Sequence, residues 1–235
     1  MASPKIEQLE KKIGYSFANK NLLKEALTHR SYLNENSAWP LPQNERLEYL
    51  GDAVIELITT EFLFRTFPKH DEGVLTSFRA ALVNFQMLGR IAAEIDLDHF
   101  LLLSRGEAKD TGKAREVILA NAFEALIGAL YLDGGYRAAE ECVRVLVFPH
   151  LDEILEKKLY RDPKSLLQEV IQERKKITPT YRVLDERGPD HQKEFVLGVF
   201  FGDEEVARGT GTSKQEAELR AADAALELLK QGELS

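Results

Sequence analysis

Asn44-Glu45-Arg46-Leu47-Glu48-Tyr49-Leu50-Gly51-Asp52-Ala53-Val54-Ile55-Glu56-Leu57-Ile58 is the stretch around which the chain is organised. Placed on a helix at about 100° per residue, Glu45, Glu48, Asp52 and Glu56 fall within an arc of roughly 80°. Leu47, Leu50, Val54, Leu57 and Ile58 gather on the other side. Stacked carboxylates repel, at a few tenths of a kcal/mol per pair. A hard divalent cation removes that cost, because Mg²⁺ takes oxygen ligands from one or two carboxylates plus substrate phosphate. The same spacing also fits a plain solvated acidic face. Gly51 adds information: inside a helix it costs about 1 kcal/mol relative to Ala, so its position suggests that something approaches the backbone closely.

The 235 residues suffice for one or two domains with a proper core. The net charge is −8, which argues against wholesale electrostatic attraction to nucleic acid. Residues 160–235 carry 12 Lys+Arg against 15 Asp+Glu, so neither half is basic and any contact with a polyanion must come from local clusters. The lone Cys142 excludes an internal disulfide framework and a cysteine zinc site, and reads as a buried small apolar residue. No apolar run of the ~20 residues needed for a bilayer is expected, and residues 1–5 show no signal-peptide core. A cytoplasmic location is the default expectation.

Residues 5–12 read as a short amphipathic helix, and Asn21 to Tyr32 begins as a second, with His29 a structural residue at a helix end. A loop follows, holding Trp39, Pro40 and Pro42. The acidic helix runs to about Phe67, where Pro68 ends it. One helix is expected from Val74 to Ala93, with Leu75, Phe78, Leu82 and Phe85 on a core stripe. Residues 94–103 read as a short helix or turn. Residues 104–115 form a polar, Gly-punctuated loop carrying Arg105, Lys109, Lys113 and Arg115, with Arg90 expected nearby; such a loop is either plain surface or a cradle for a phosphate backbone. A helix over 116–132 buries Leu119, Phe123, Leu126, Ile127 and Leu130, with Asn121, Glu124 and Gly128 on its edge. Another, over 137–159, breaks near Pro149.

After Asp162, an N-cap with Pro163 at the first helical position, the pattern changes. Lys164 to Lys175 is helical. Tyr181 and Val183, then Phe195 to Phe201, then Val206 to Thr210 read as strands. Ser213-Lys214-Gln215-Glu216 is a capping box opening a helix with Ala217, Ala221, Ala224, Ala225 and Leu228 on one face.

Asn44 to Ala53 closely resembles the signature of the ribonuclease III family. The Leu27-Thr28-His29-Arg30-Ser31-Tyr32 string is also similar to it. Ile118 to Gly128 with Tyr131-Leu132-Asp133-Gly134-Gly135 matches the family's second catalytic motif at every position but one: Asn121 stands where the usual residue is Asp. Pro163 to Glu169, Pro179-Thr180-Tyr181, His191 to Phe195 and Gly209 to Lys214 resemble the double-stranded RNA-binding domain. The two resemblances cover residues 5–230.

They imply an all-α N-terminal endonuclease domain (1–158), a linker (159–163) and a small α+β (α-β-β-β-α) double-stranded RNA-binding domain (164–235). The activity implied is Mg²⁺-dependent hydrolysis of duplex RNA, with Mn²⁺ as substitute and no organic cofactor. Products would be staggered, with 5′-phosphate and 3′-hydroxyl ends. The role implied is RNA processing such as maturation of rRNA precursors and mRNA. A homodimer is implied, one strand cut per protomer, with Tyr49, on the buried side of the signature, matching an aromatic of the dimer contact.

By position, Glu48, Asp52, Asn121 and Glu124 match the family's metal shell. Glu45 and Glu72 match catalytic acids in the outer part of the same valley, and Glu107 a supporting carboxylate, with Lys109 in the loop beside it. Gln168, Glu169 and His191 would face 2′-hydroxyls, while Ser213 and Lys214 would face phosphates, aided by the helix dipole. Gln215 and Glu218 stand where the family places lysines, so Arg208 and Arg220 are the expected compensation. Asn121 leaves two readings open: an active nuclease, or a cleavage-deficient duplex binder. The retained Glu45, Glu48, Asp52, Glu72 and Glu124 favour the nuclease.

Overall fold

The computed structural model describes residues 3–189 and 193–232. It divides into two compact units, Met1–Tyr160 and Arg161–Ser235.

The first unit is helical: α1 (Ser3–Ile13), α2 (Lys20–Ala26), α3 (Arg30–Glu35), α4 (Glu45–Thr66), α5 (Glu72–Val83), α6 (Phe85–Glu94), α7 (Lys113–Leu146) and α8 (Leu151–Glu156). Its core is built on α4 and α7. Leu47, Val54, Ile55, Ile58 and Leu63 from α4 bury with Leu119, Phe123, Leu126, Ile127 and Leu130 from α7. These two helices cross at backbone contact. A methyl group on Gly51 would collide with the Glu124 carbonyl, and one on Gly128 with the Leu47 carbonyl. The mid-helix glycine expected to admit a close neighbour does so, and the neighbour is another helix.

Several expectations are corrected. The 21–32 segment is two helices, because residues 27–29 leave the helix to pair with Leu102: His29 N–H donates to the Leu102 carbonyl at 3.1 Å and Leu102 N–H to the Leu27 carbonyl at 2.8 Å. His29 then caps α3, its Nδ1 accepting from Ser31 N–H at 3.3 Å. Val74 to Ala93 is likewise split. Asn84 ends α5, turns to extended backbone, and caps α6 by accepting from Met87 N–H at 2.9 Å. Lys113 and Arg115 lie in the first turn of α7 rather than in the loop. α7 continues to Leu146 across a break at Gly135, whose φ of 73° favours glycine. By length and composition the segment Lys113–Glu156 could cross a bilayer, contrary to the expectation that no run would. The fold uses α7 instead as the central core helix, packed against α2, α4 and α6.

Two residues assigned to the apolar side of α4 are not buried: Leu57 is 58% exposed and Tyr49 83%. Three faces replace the expected two. With Phe64, 71% exposed, Tyr49 and Leu57 lie within roughly 80° of one another, a third stripe beside the acids.

The second unit has α9 (Pro163–Lys175), β1 (Thr180–Arg187), β2 (Glu194–Phe201), β3 (Glu204–Gly211) and α10 (Lys214–Gln231). The sheet is antiparallel in the order β1-β2-β3. Leu167 and Ile171 of α9, Val199 and Phe201 of β2, and Ala221, Ala222, Ala225, Leu226 and Leu229 of α10 form its core. The buried face of α10 is thus one position away from the expected one, since Ala224 and Leu228 stay partly exposed. Asp162 accepts from Ser165 N–H at 2.9 Å, the expected cap.

The α4–α7 crossing gives the first prediction. Gly51→Ala gains about 1 kcal/mol of helix propensity yet should lower the unfolding free energy by roughly 1–3 kcal/mol, because two backbones must separate. Urea denaturation checks this; a gain in stability would contradict the crossing.

Candidate functional site

The site grows from that crossing. With Gly51 against Glu124, the acidic face of α4 meets the edge of α7. Asn121 hydrogen-bonds the Glu48 side chain, and Asp52 and Glu48 both act on Glu124 electrostatically. Glu48, Asp52, Asn121 and Glu124, from two stretches some 70 residues apart in sequence, therefore share one locus. Glu124 is half-buried and Asp52 exposed, so the locus opens outward.

The electrostatics are those of crowded acids. Burial, then Asp52, then Glu48 push the Glu124 carboxyl up to about 8. Burial and the charges of Glu45 and Asp52 also raise Glu48, while the hydrogen bond from Asn121 lowers it. The Asn121 amide thus supplies a donor where a carboxylate would add another repelling charge.

The other expected residues divide. Glu45 borders the cluster through its effect on Glu48, and its carboxylate accepts from Gln43 Nε2 at 2.8 Å. Glu107 comes near His29, whose ring it and Glu45 both influence. Lys109 is exposed, next to Glu107 in a single turn of 3-10 helix. Glu72 is not brought to the cluster. It opens α5, accepts from Thr76 Oγ1 at 3.2 Å, and lines a cavity of about 490 Å³ with Phe64, Phe67, Leu75 and Arg79. That cavity lies near the C-terminal end of α4, roughly 20 Å along the helix axis from Asp52.

The basic loop is also less available than expected. Arg115 pairs with Asp98, and Arg90 with Glu94 and Glu153 at 3.0 and 2.9 Å. What sequence reasoning missed is how the loop is held. Ser31 Oγ lies 2.8 Å from His29 Nδ1 and accepts from Ser104 N–H at 3.0 Å; Ser104 Oγ accepts from Glu107 N–H at 3.2 Å. Burial lowers the His29 pKa, which suits a ring nitrogen that must accept rather than donate. The Thr-His-Arg-Ser string carried that signal, since short polar side chains beside a helix start are capping residues.

Donor chemistry at the crossing fits a hard divalent cation: three carboxylates and an amide oxygen, with surplus negative charge. Among the described residues no three Asp, Glu, His or Cys side chains converge tightly enough to enclose a cation as they stand.

In the second unit Gln168 and Glu169 are exposed on α9. Ser213 caps α10, its Oγ accepting from Glu216 N–H at 3.1 Å. Glu216 also reaches back to Thr212, accepting from its N–H at 2.9 Å. Lys214 pairs with Glu186 and Lys164 with Glu218. The expected compensation is not free, since Arg208 pairs with Glu205 and Arg220 with Glu216. His191 lies outside the described residues.

Comparison with known proteins bears on both units. Residues 19–151 match the family profile described as ribonuclease-III-like, and residues 163–229 the double-stranded RNA binding motif. Ribonuclease 3 of Nitratiruptor sp. is 42% identical over 225 residues, covering 96% of this chain and 97% of that protein. Ribonuclease 3 of Carboxydothermus hydrogenoformans is 46% identical over 222 residues, 94% of each. A solved nuclease domain of ribonuclease III from Campylobacter jejuni is 43% identical, with a TM-score of 0.56, covering 61% of this chain and 99% of that one. Fold and site therefore define a helical endonuclease unit joined to a double-stranded RNA-binding unit. The chain belongs to the ribonuclease III family and is an endoribonuclease acting on double-stranded RNA.

Glu124 provides the pH prediction. Its folded pKa lies above that of a free carboxylate, so the stability it contributes is full below about 4.5 and is lost as pH rises through about 8. In chelator, the melting temperature should fall across that window. Glu124→Gln should flatten the fall, and an unchanged slope in thermal melts would contradict the crowding.

Proposed function

We propose that the chain hydrolyses phosphodiester bonds of duplex RNA with Mg²⁺, Mn²⁺ substituting. The products are staggered ends bearing 5′-phosphate and 3′-hydroxyl, and the role is RNA processing in the cytoplasm, including maturation of rRNA precursors. The observation that supports this most is the meeting of Glu48, Asp52, Asn121 and Glu124 at the α4–α7 crossing, with Glu124 pushed up to about 8 by its neighbours. A divalent cation bound there supplies an acidified water and counter-charge for phosphate and leaving oxygen.

The chain's own residues do the rest. Asp52 and Glu124, contributed by different helices, would hold that cation where the reacting phosphate is to lie. Glu48 flanks them, oriented by the Asn121 amide. Glu45 forms the outer rim, and the His29–Ser31–Ser104 chain sets the loop carrying Glu107 and Lys109 beside it. A cleavage-deficient binder is not favoured: the amide hydrogen-bonds Glu48 and offsets part of the rise in its pKa, and the other acids are retained.

The same reading includes a homodimer. The exposed stripe of Tyr49, Leu57 and Phe64 runs along α4, and the 490 Å³ cavity lies beside its far end. Two copies pairing α4 antiparallel would seat Tyr49 of each near the other's cavity. That would carry Glu72 of each copy toward the other's Glu45 and Glu48, where one chain alone cannot place it. The related Campylobacter jejuni domain is described as flexible in a region involved in dimer formation.

Two experiments test this. Cleavage of a labelled duplex should require Mg²⁺, and Asn121→Asp should lower the Mg²⁺ needed for half-maximal rate by about tenfold, one added charge at close range. Cutting that persists in chelator would refute the metal reading. In sedimentation, Tyr49→Asp should convert a dimer to monomer; a wild-type monomer at micromolar concentration would refute the pairing.

A further inference from the structure

The side of the second unit where α10 begins carries an internal anion. The Glu186 carboxylate of β1 is shared between two lysines from different elements: Lys214 Nζ, at the start of α10, lies 3.0 Å from Oε1, and Lys193 Nζ, just before β2, lies 3.3 Å from Oε2. Both ammonium groups also sit over the Phe195 ring, at 5.6 and 5.8 Å from its centroid. The ring and the carboxylate thus form one seat that holds both cations. The pair holds Glu186 below the usual carboxylate range, so it stays ionised at physiological pH.

We propose that Glu186 is an affinity-setting residue: a built-in stand-in for an RNA phosphate that holds Lys193 and Lys214 and must be displaced when duplex RNA binds. The proposal rests on the reading that this unit grips duplex RNA with the N-terminus of α10. Each contact is partly exposed, with Lys214 56%, Lys193 38% and Glu186 35% accessible, so exchange for a phosphate is sterically open. Exposed ion pairs of this kind are weak and break readily. The exchange has a distinctive thermodynamic mark. A lysine already neutralised by its own chain releases less counterion on meeting a phosphate than a free one, so the carboxylate reduces both affinity and salt dependence. The chain's overall charge of −8 makes such local cations the main source of electrostatic attraction, and clamping two of them matters correspondingly.

The test uses the full chain and a fluorescein-labelled RNA duplex of about 16 base pairs, in chelator so that nothing is cut, at several KCl concentrations. Glu186→Gln should bind roughly three- to tenfold tighter than wild type at moderate salt, the worth of two exposed pairs. Its plot of log affinity against log salt should steepen by about one unit. Glu227→Gln is the control for net charge and for freeing a lysine elsewhere, since Glu227 pairs with Lys230 and lies 13 residues along α10 from Lys214, about 20 Å away; it should leave the slope unchanged. In the Glu186→Gln background, Lys214→Gln should return the slope toward wild type. Equal affinity and slope for wild type and Glu186→Gln overturn the proposal, as does weaker binding, which would make Glu186 an organiser of the lysines rather than a competitor. A wild-type chain that fails to bind the duplex at all overturns the duplex-grip reading itself, and the proposal with it.

Discussion

Everything in the first unit depends on two helix backbones touching. Gly51 on α4 and Gly128 on α7 let the crossing close until a methyl group on either would strike the other helix's carbonyl. Each glycine costs about 1 kcal/mol of helix propensity, and the return is position. Glu48 stands about one turn before Gly51 and Asp52 directly after it, while Asn121 and Glu124 precede Gly128 on the facing helix. The acids meet because the backbones do. The burial of Phe123 and its neighbours supplies the apolar stabilisation that holds like charges in this proximity.

The two units handle charge in opposite ways. At the crossing, carboxylates are left crowded and uncompensated, and the consequence is a Glu124 carboxyl that keeps its proton to about pH 8. In the RNA-binding unit, cations are compensated: Lys164 by Glu218, Lys214 and Lys193 by Glu186, Arg220 by Glu216. One surface is poised to take up a cation and the other to exchange an internal anion for a phosphate. Both arrangements store unfavourable or replaceable electrostatics where a partner of opposite sign relieves or displaces them.

Much of this was legible in the chain. The buried stripe of α7, the arc of acids on α4, the α-β-β-β-α order and the Asp162 and Ser213 caps follow from periodicity and local hydrogen bonding. Gly51 was readable as a close approach, though not as an approach to Gly128, because periodicity identifies a face and not its neighbour. The failures share a cause. Asn84 and Thr28 interrupt helices through bonds made three to four residues away or across the fold, which an apolar stripe running through both segments conceals. Tyr49 and Leu57 read as buried in the sequence because two faces of α4 are all that periodicity separates; the fold gives α4 a third, exposed stripe. Glu72 shares the acid chemistry of the cluster, but within one chain it lies more than a dozen residues of helix away, and residue type carries no distance. Arg208 and Arg220 were counted as cations available to RNA, whereas their i, i+3 and i, i+4 acids already hold them.

The claim on which the rest stands is that the crossing gathers oxygens from α4 and α7 around a single cation. Anomalous scattering from crystals of the full chain soaked in Mn²⁺ tests it most directly. The account predicts a peak ligated by both Asp52 and Glu124, one from each helix. A peak held by residues of only one helix, or none at the crossing while Mn²⁺ binds elsewhere on the chain, would contradict it.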